Sequence, residues 1–271
     1  MGHHFVLLHG AWHGGWCWEG VVAALERAGH TAEAPTMPGH HREDNRSGIR
    51  FNDYVEAIVR VLKNQTAPAV LVGHSSAGFL MQAAAPKASD KISHLIFHNA
   101  FILPDGKSQF DLVPPDVSGG MIAAAKASPD NCVPVDEEFV RNMLMAGDPV
   151  ETQDALIRRL VPQPIALFTT PVSTEAFQAL SVPRSVLFCR DDASLPPGAY
   201  LGMARGLEDY DLIERYLERA LESEHLAHRH LEVGHAGRFS VRAQVHGRYL
   251  QFALSLLGGP RSEPAISGIA R

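Results

Sequence analysis

A chain of 271 residues with 45% hydrophobic content is long enough for one large α/β domain or two small ones, with a sizeable core. A formal charge of −6 argues against nucleic acid or an anionic membrane as a main partner. The three cysteines, Cys17, Cys132 and Cys189, show no paired spacing and read as reduced thiols rather than a disulfide frame. No signal-peptide pattern opens the chain and no segment reaches the length of a membrane span, so the expected setting is the cytoplasm.

His4 to Leu8 (HFVLL) is predicted as a strand ending in His9-Gly10, and Trp16 to Arg27 as a helix closed by Gly29. Thr31 to Ala34 reads as a strand, broken by Pro38-Gly39. Phe51, Tyr54, Val55, Ile58 and Leu62 fall at helical spacing and give one apolar face. Ala69 to Val72 is a short apolar run suited to a buried strand, and Phe79 to Ala85 is rich in helix formers. Ser93 to Phe97 and Ser185 to Cys189 are further strands. Leu231 to Val233 is expected to be the last, followed by a helix from about Ser240 to Leu257. Short buried strands alternating with helices imply a mostly parallel sheet covered on both faces.

The rhythm breaks between about Leu103 and Pro183, a proline-rich stretch of short helical patterns. One opens at Asp148-Pro149-Val150-Glu151, where Asp148 is expected to cap the helix and Glu151 to complete a capping box. The stretch reads as a lid inserted over the sheet. The expected organisation is a core of 1–103 and 184–257, a helical lid of 104–183 before the strand Ser185 to Cys189, and a loose tail of 258–271.

The chemistry centres on VGHSSAG at 72–78. A strand that turns directly into a helix needs small residues two before and two after its reactive serine. For Ser75 these are Gly73 and Ala77; for Ser76 one would be His74, which is too bulky. Ser75 is therefore the candidate nucleophile. A serine hydroxyl needs a base held by a carboxylate, and N–H donors for the oxyanion, all beyond the carboxyl ends of the strands. The strand Ser185 to Cys189 runs into Arg190-Asp191-Asp192, which offers two acids. Leu231 to Val233 runs into Gly234-His235, which offers the base. The chain order Ser, Asp, His is that of an α/β-hydrolase. The N–H groups of Ala11, after the first strand, and of Ser76 are the candidate oxyanion hole. Ser76 would thus contribute an N–H rather than a hydroxyl. Asp105 stands as a reserve acid.

The segments HFVLLHGAWHGGWCW, VLVGHSSAGF, LIFHNAFILPDG, VLFCRDDASLPP and VGHAG resemble the plant methyl-ester carboxylesterase and hydroxynitrile lyase family of α/β-hydrolases, which has bacterial relatives. The likeness covers residue 4 to about 105 and resumes from about 183. It implies the α/β-hydrolase fold and a triad of Ser75, Asp192 and His235, with Asp192 favoured over Asp191 because it lies four residues before Pro196. The lyase branch carries a threonine at the place of Gly10 and a lysine at that of Ala236. This chain lacks both, so the resemblance points to the esterase branch. The spacing from Asp192 to His235 is longer than that family's. The extra residues include Leu212, Ile213, Tyr216, Leu217 and Leu221, which read as an amphipathic helical stripe and leave a homodimer open.

Plainer roles are expected for other residues. The clusters His225/His228/His230 and His40-His41 lack the order of a familiar metal motif, and neither metal nor cofactor is expected. His9 and His74 read as packed or hydrogen-bonded neighbours, and Cys17 and Cys189 as small buried residues. Met121, Ile122, Phe139, Met143, Leu144, Leu167 and Phe168 are expected mostly to hold the lid together, with a few lining a pocket. The expected function is hydrolysis of a small, largely apolar carboxylic ester through an acyl-enzyme, with lactones open. Competing readings are cleavage of cyanohydrins and a ligand-binding protein that retains the triad.

Overall fold

In a computed structural model describing residues 2–189, 192, 194–207 and 209–215, with Glu214 and Arg215 described by backbone alone, the apolar runs become the strands of one sheet. These strands are β1 (His4–Leu8), β2 (Thr31–Glu33), β3 (Ala69–Ser75), β4 (Ile92–Ala100), β7 (Arg184–Cys189) and β8 (Asp211–Arg215), in the order β2-β1-β3-β4-β7-β8. Every pairing is parallel. Side chains alternate along a strand, so each strand feeds two separate cores. Val6, Leu8 and Leu71 pack with α2 (Phe51–Lys63) and α3 (Ala77–Ala84) on one face. Phe5, Leu7, Val70 and Val72 pack with Trp18 and α1 (Glu19–Arg27) on the other. Burial on both faces explains why the strands read as continuous apolar runs rather than as alternation. The five apolar residues spaced along α2 are all buried, as their period requires.

Between β4 and β7 the chain leaves the sheet. It forms α4 (Pro115–Ala127), α5 (Glu137–Phe139), a π-helical turn at Val140–Leu144, α6 (Val150–Ile157), α7 (Ala166–Thr169) and α8 (Glu175–Gln178). A small antiparallel ribbon of β5 (Cys132–Val133) and β6 (Gln163–Pro164) belongs to the same stretch. The capping expectation at Asp148 fails. Pro149, at φ −56° and ψ 143°, itself occupies the N-cap, so α6 starts at Val150 with no side-chain cap. A helix α9 (Ala199–Ala204) follows β7.

The stripe expected as a helix is also corrected. Leu212 and Ile213 lie in β8, paired with Val186 and Leu187 of β7. Ile213 packs inward against the core while Leu212 is 44% exposed, which is a strand's alternation. The open backbone edge of β7 outweighs the local helical pattern. Tyr216, Leu217, Leu221, the strand at Leu231–Val233, His235, the helix after Ser240 and the tail 258–271 lie outside the described residues. Among the described residues no helix is long and apolar enough to cross a membrane.

Candidate active site

β3 ends at Ser75, whose φ of +55° places a non-glycine residue in the left-handed region. Such a conformation costs about 1–3 kcal/mol and persists only where its surroundings enforce it. Two constraints are visible. The Ser75 carbonyl accepts the N–H of Phe101 at 3.0 Å, joining the bend to the end of β4. α3 also doubles back so closely that a Cβ on Gly73 would overlap Met81 Sδ and stand 3.1 Å from the Ala77 carbonyl oxygen. Ser76 has helical angles, φ −57° and ψ −19°, and is the N-cap of α3, with Ala77 the first helical residue. Its hydroxyl is buried and donates to Gln109 Oε1 at 2.8 Å, so its proton is committed to that bond.

The loop after β1 comes up beside this bend. A Cβ on Gly10 would lie 2.9 Å from Ser75 Cβ. The loop is pinned by a network of buried polar groups. Met37 N–H donates to His9 Nε2 at 3.0 Å, so the proton of the neutral ring sits on Nδ1 and is donated to the Gly10 carbonyl at 2.9 Å. That bond fixes the peptide plane whose other end is the Ala11 N–H. Trp12, at φ +61°, donates its N–H to Gln163 Oε1 at 3.2 Å, and Gln163 Nε2 donates to the Tyr54 hydroxyl at 2.9 Å. Tyr54 meets His40 Nε2 at 3.3 Å, and His40 Nδ1 donates to the His13 carbonyl at 2.5 Å. Loss of hydration on burial holds His9 well below the ordinary imidazole range and takes His40 down to about 4. Both rings are therefore neutral at pH 7 and act as hydrogen-bonding props, which agrees with the packed role expected for His9.

Asp192 follows β7. Its Oδ1 accepts the Ser194 N–H at 2.8 Å and the Ser194 hydroxyl at 2.5 Å, and its Oδ2 accepts Asn99 Nδ2 at 2.6 Å. Burial pushes the carboxyl up, but the bonds from Ser194 and Asn99 and the nearby His74 outweigh it, holding the group below the usual carboxylate range. Asn99, at φ +35°, sits at the end of β4 and also accepts the Cys189 N–H at 2.9 Å. It therefore staples β4 to the acid-bearing turn. Sequence reasoning overlooked Asn99, Ser194 and Tyr200. The Asp-x-Ser spacing at 192–194 was a usable signal, since an aspartate commonly accepts the N–H two residues on. For Asn99 and Tyr200 no local signal exists.

Ser75, Asp192, Gly10, Ala11 and Ser76 line one cavity of about 970 Å³. His74, Cys17 and Cys189 line it too. Of the apolar residues expected chiefly to hold the inserted segment together, Met121, Phe139, Met143 and Leu144 line the cavity, while Leu167 and Phe168 are buried in the core. The balance is thus reversed, because the segment folds over the cavity rather than on itself alone. Asp105 is not part of the site: its Oδ1 accepts the Thr174 N–H at 2.6 Å and the Ser173 hydroxyl at 3.2 Å. Asp191 and His235 lie outside the described residues. Among the described residues, no three His, Cys, Asp or Glu side chains gather as a metal site would.

An esterase of Nocardioides sp. (strain SG-4G) that hydrolyses carbendazim is 31% identical over 181 residues, covering 62% of this chain and 72% of that protein. Methylesterase 2 of Arabidopsis thaliana is 31% identical over 208 residues, covering 70% of this chain and 78% of its own. Among solved structures, an extracellular alpha/beta-hydrolase from a Paenibacillus species shares the fold with a TM-score of 0.78, at 21% identity over 93% of this chain and 98% of that one. The family model for the alpha/beta hydrolase family matches residues 5–245, and this chain belongs to that family.

Proposed function

We propose that the protein hydrolyses small, largely apolar carboxylic esters through an acyl-enzyme on Ser75. The observation that carries the reading is the left-handed Ser75 at the bend, exposed to an apolar cavity that Asp192 also lines. His235 removes the Ser75 proton as the oxygen attacks the ester carbonyl carbon, and Asp192 orients the imidazole and stabilises its charge. The role of His235 rests on its place in the chain order and on the family resemblance. The N–H groups of Ala11 and Ser76 receive the oxyanion, aided by the positive end of α3. His235 then protonates the departing alcohol and activates the water that releases the acid.

The substrate class follows from the cavity. About 970 Å³ lined by Trp12, Phe110, Phe139 and Leu144 suits an aryl or bulky alkyl ester. The inserted segment 104–183 serves as a lid that keeps bulk water from the acyl-enzyme. Gly10 weighs against lyase chemistry, because it offers no hydroxyl at the place where the lyase branch carries a threonine. The similarity to an esterase and a methylesterase, each 31% identical, supports the same class.

A panel of aryl, methyl and lactone esters, with mandelonitrile alongside, tests this in wild type, Ser75→Ala, Asp192→Asn and His235→Ala. Multiple turnover that falls at least ~10³-fold in Ser75→Ala is expected. Full turnover in Ser75→Ala, or cyanohydrin cleavage without ester hydrolysis, would refute the proposal.

A further inference from the structure

Tyr200, on α9, also lines the cavity, and it is 6% exposed with its ring edge-on to Phe101 at 5.8 Å. Its hydroxyl lies 3.1 Å from Ser194 Oγ. The direction of each bond can be worked out from the acid end. An ionised carboxylate only accepts, so the Ser194 proton is spent on Asp192 Oδ1 at 2.5 Å. Ser194 Oγ can then only accept from Tyr200, whose single proton is spent in turn. Burial pushes the Tyr200 phenol upward, so it keeps its proton across the working range.

The geometry points to Tyr200 as a positioning residue for the reaction: its hydroxyl donates to Ser194, whose own proton is held on Asp192, so that one directed chain of hydrogen bonds fixes the acid-bearing turn and tempers the acid. This rests on the roles given to Ser75 and Asp192 above. Its consequence differs from that of a packing role. With three donors from Ser194 and Asn99, Asp192 has part of its charge committed before it meets a base. Removing the Ser194 hydroxyl, or the phenol that polarises it, returns that charge to the base. The imidazolium is then held more tightly and the acid limb of the pH profile moves to higher pH. Among the described residues the titratable groups facing Asp192 are Tyr200 from α9 and His74 from β3. Both remain in Ser194→Ala, so the shift reports the hydroxyl.

The experiment compares kcat, KM and the pH profile of kcat/KM for Tyr200→Phe, Ser194→Ala, the double variant and Ser194→Thr on the best ester of the panel, with melting temperatures recorded. Each of the first two is expected to lower kcat about 10-fold with KM within about twofold, and to move the acid limb upward by a few tenths of a pH unit. The double variant is expected to be no worse than the more damaged single one, since both break one chain. Ser194→Thr keeps a hydroxyl and should recover the wild-type limb. Effects that multiply in the double variant, or an unmoved acid limb in both single variants, overturn the proposal. Ser75→Ala, run in parallel, separates the two levels. Turnover in Ser75→Ala sinks the reading of the site itself. Loss there with wild-type kinetics in Tyr200→Phe sinks the hydrogen-bond chain alone.

Discussion

Replacing Gly10 by alanine would put a methyl group 2.9 Å from Ser75 Cβ, 3.3 Å from the His74 carbonyl oxygen and 3.4 Å from His74 Nδ1. Carbon atoms rest comfortably at about 3.5–4.0 Å, so the overlap with Ser75 is roughly 0.6–1.1 Å. Neither side can yield cheaply. The Ser75 carbonyl is held by Phe101 N–H at 3.0 Å, and the Gly10 carbonyl by His9 Nδ1 at 2.9 Å. The displacement must be shared between the nucleophile and the loop that carries the Ala11 N–H. Misplacing reacting groups by about 1 Å costs on the order of 100-fold in rate. Overpacking of this kind costs about 1–3 kcal/mol of stability, each worth about 2–4 °C in melting temperature for a domain of similar size. The assay is kcat/KM on the preferred ester together with a thermal melt of wild type and Gly10→Ala. A variant with wild-type kinetics and an unchanged melting temperature would refute the reasoning, because the loop would then not be pressed against the bend.

Ser76→Ala removes the hydroxyl bonded to Gln109 and leaves a buried acceptor unpaired. Stability should fall by about 1–3 kcal/mol, while kcat/KM stays within about 10-fold because the backbone N–H survives. A collapse to the Ser75→Ala level would instead transfer the role to the hydroxyl. Stability should also decline in mild acid. His40 titrates near 6.5 when unfolded but only at about 4 when folded, so the unfolded chain binds the proton first and stability drops as pH falls through that window. The loss attributable to His40 reaches about 2 kcal/mol by pH 5. Melts between pH 7 and pH 5 should show the decline, with a shallower slope in His40→Gln; equal slopes would show that His40 is not buried neutral.

Much of the architecture was written in local pattern. β1, β3, β4 and β7 are apolar runs because both of their faces are covered, and α2 carries its buried stripe at a helix's own period. The bend at Ser75 was legible for the same reason, since close passage of a helix over a strand leaves a mark of small residues at Gly73 and Ala77. These features depend on residues a few positions apart, and such constraints can be read along a chain. Others depend on partners far away in sequence. Leu212 and Ile213 fit either a helix or a strand until the free edge of β7 chooses between them. Asn99 reaches Asp192 across 93 positions and Gln163 reaches Trp12 across 151, so neither contact has a local signature. Chain order alone made Ser75 and Asp192 candidates. Only the packing of β4 against β7, and of α9 over their ends, decided that the acid would be held by Asn99 and Ser194 and that a tyrosine hydroxyl would meet Ser194 in turn. Hydrogen bonds between distant segments form only when both partners are already held in place, and that is a property of the folded packing.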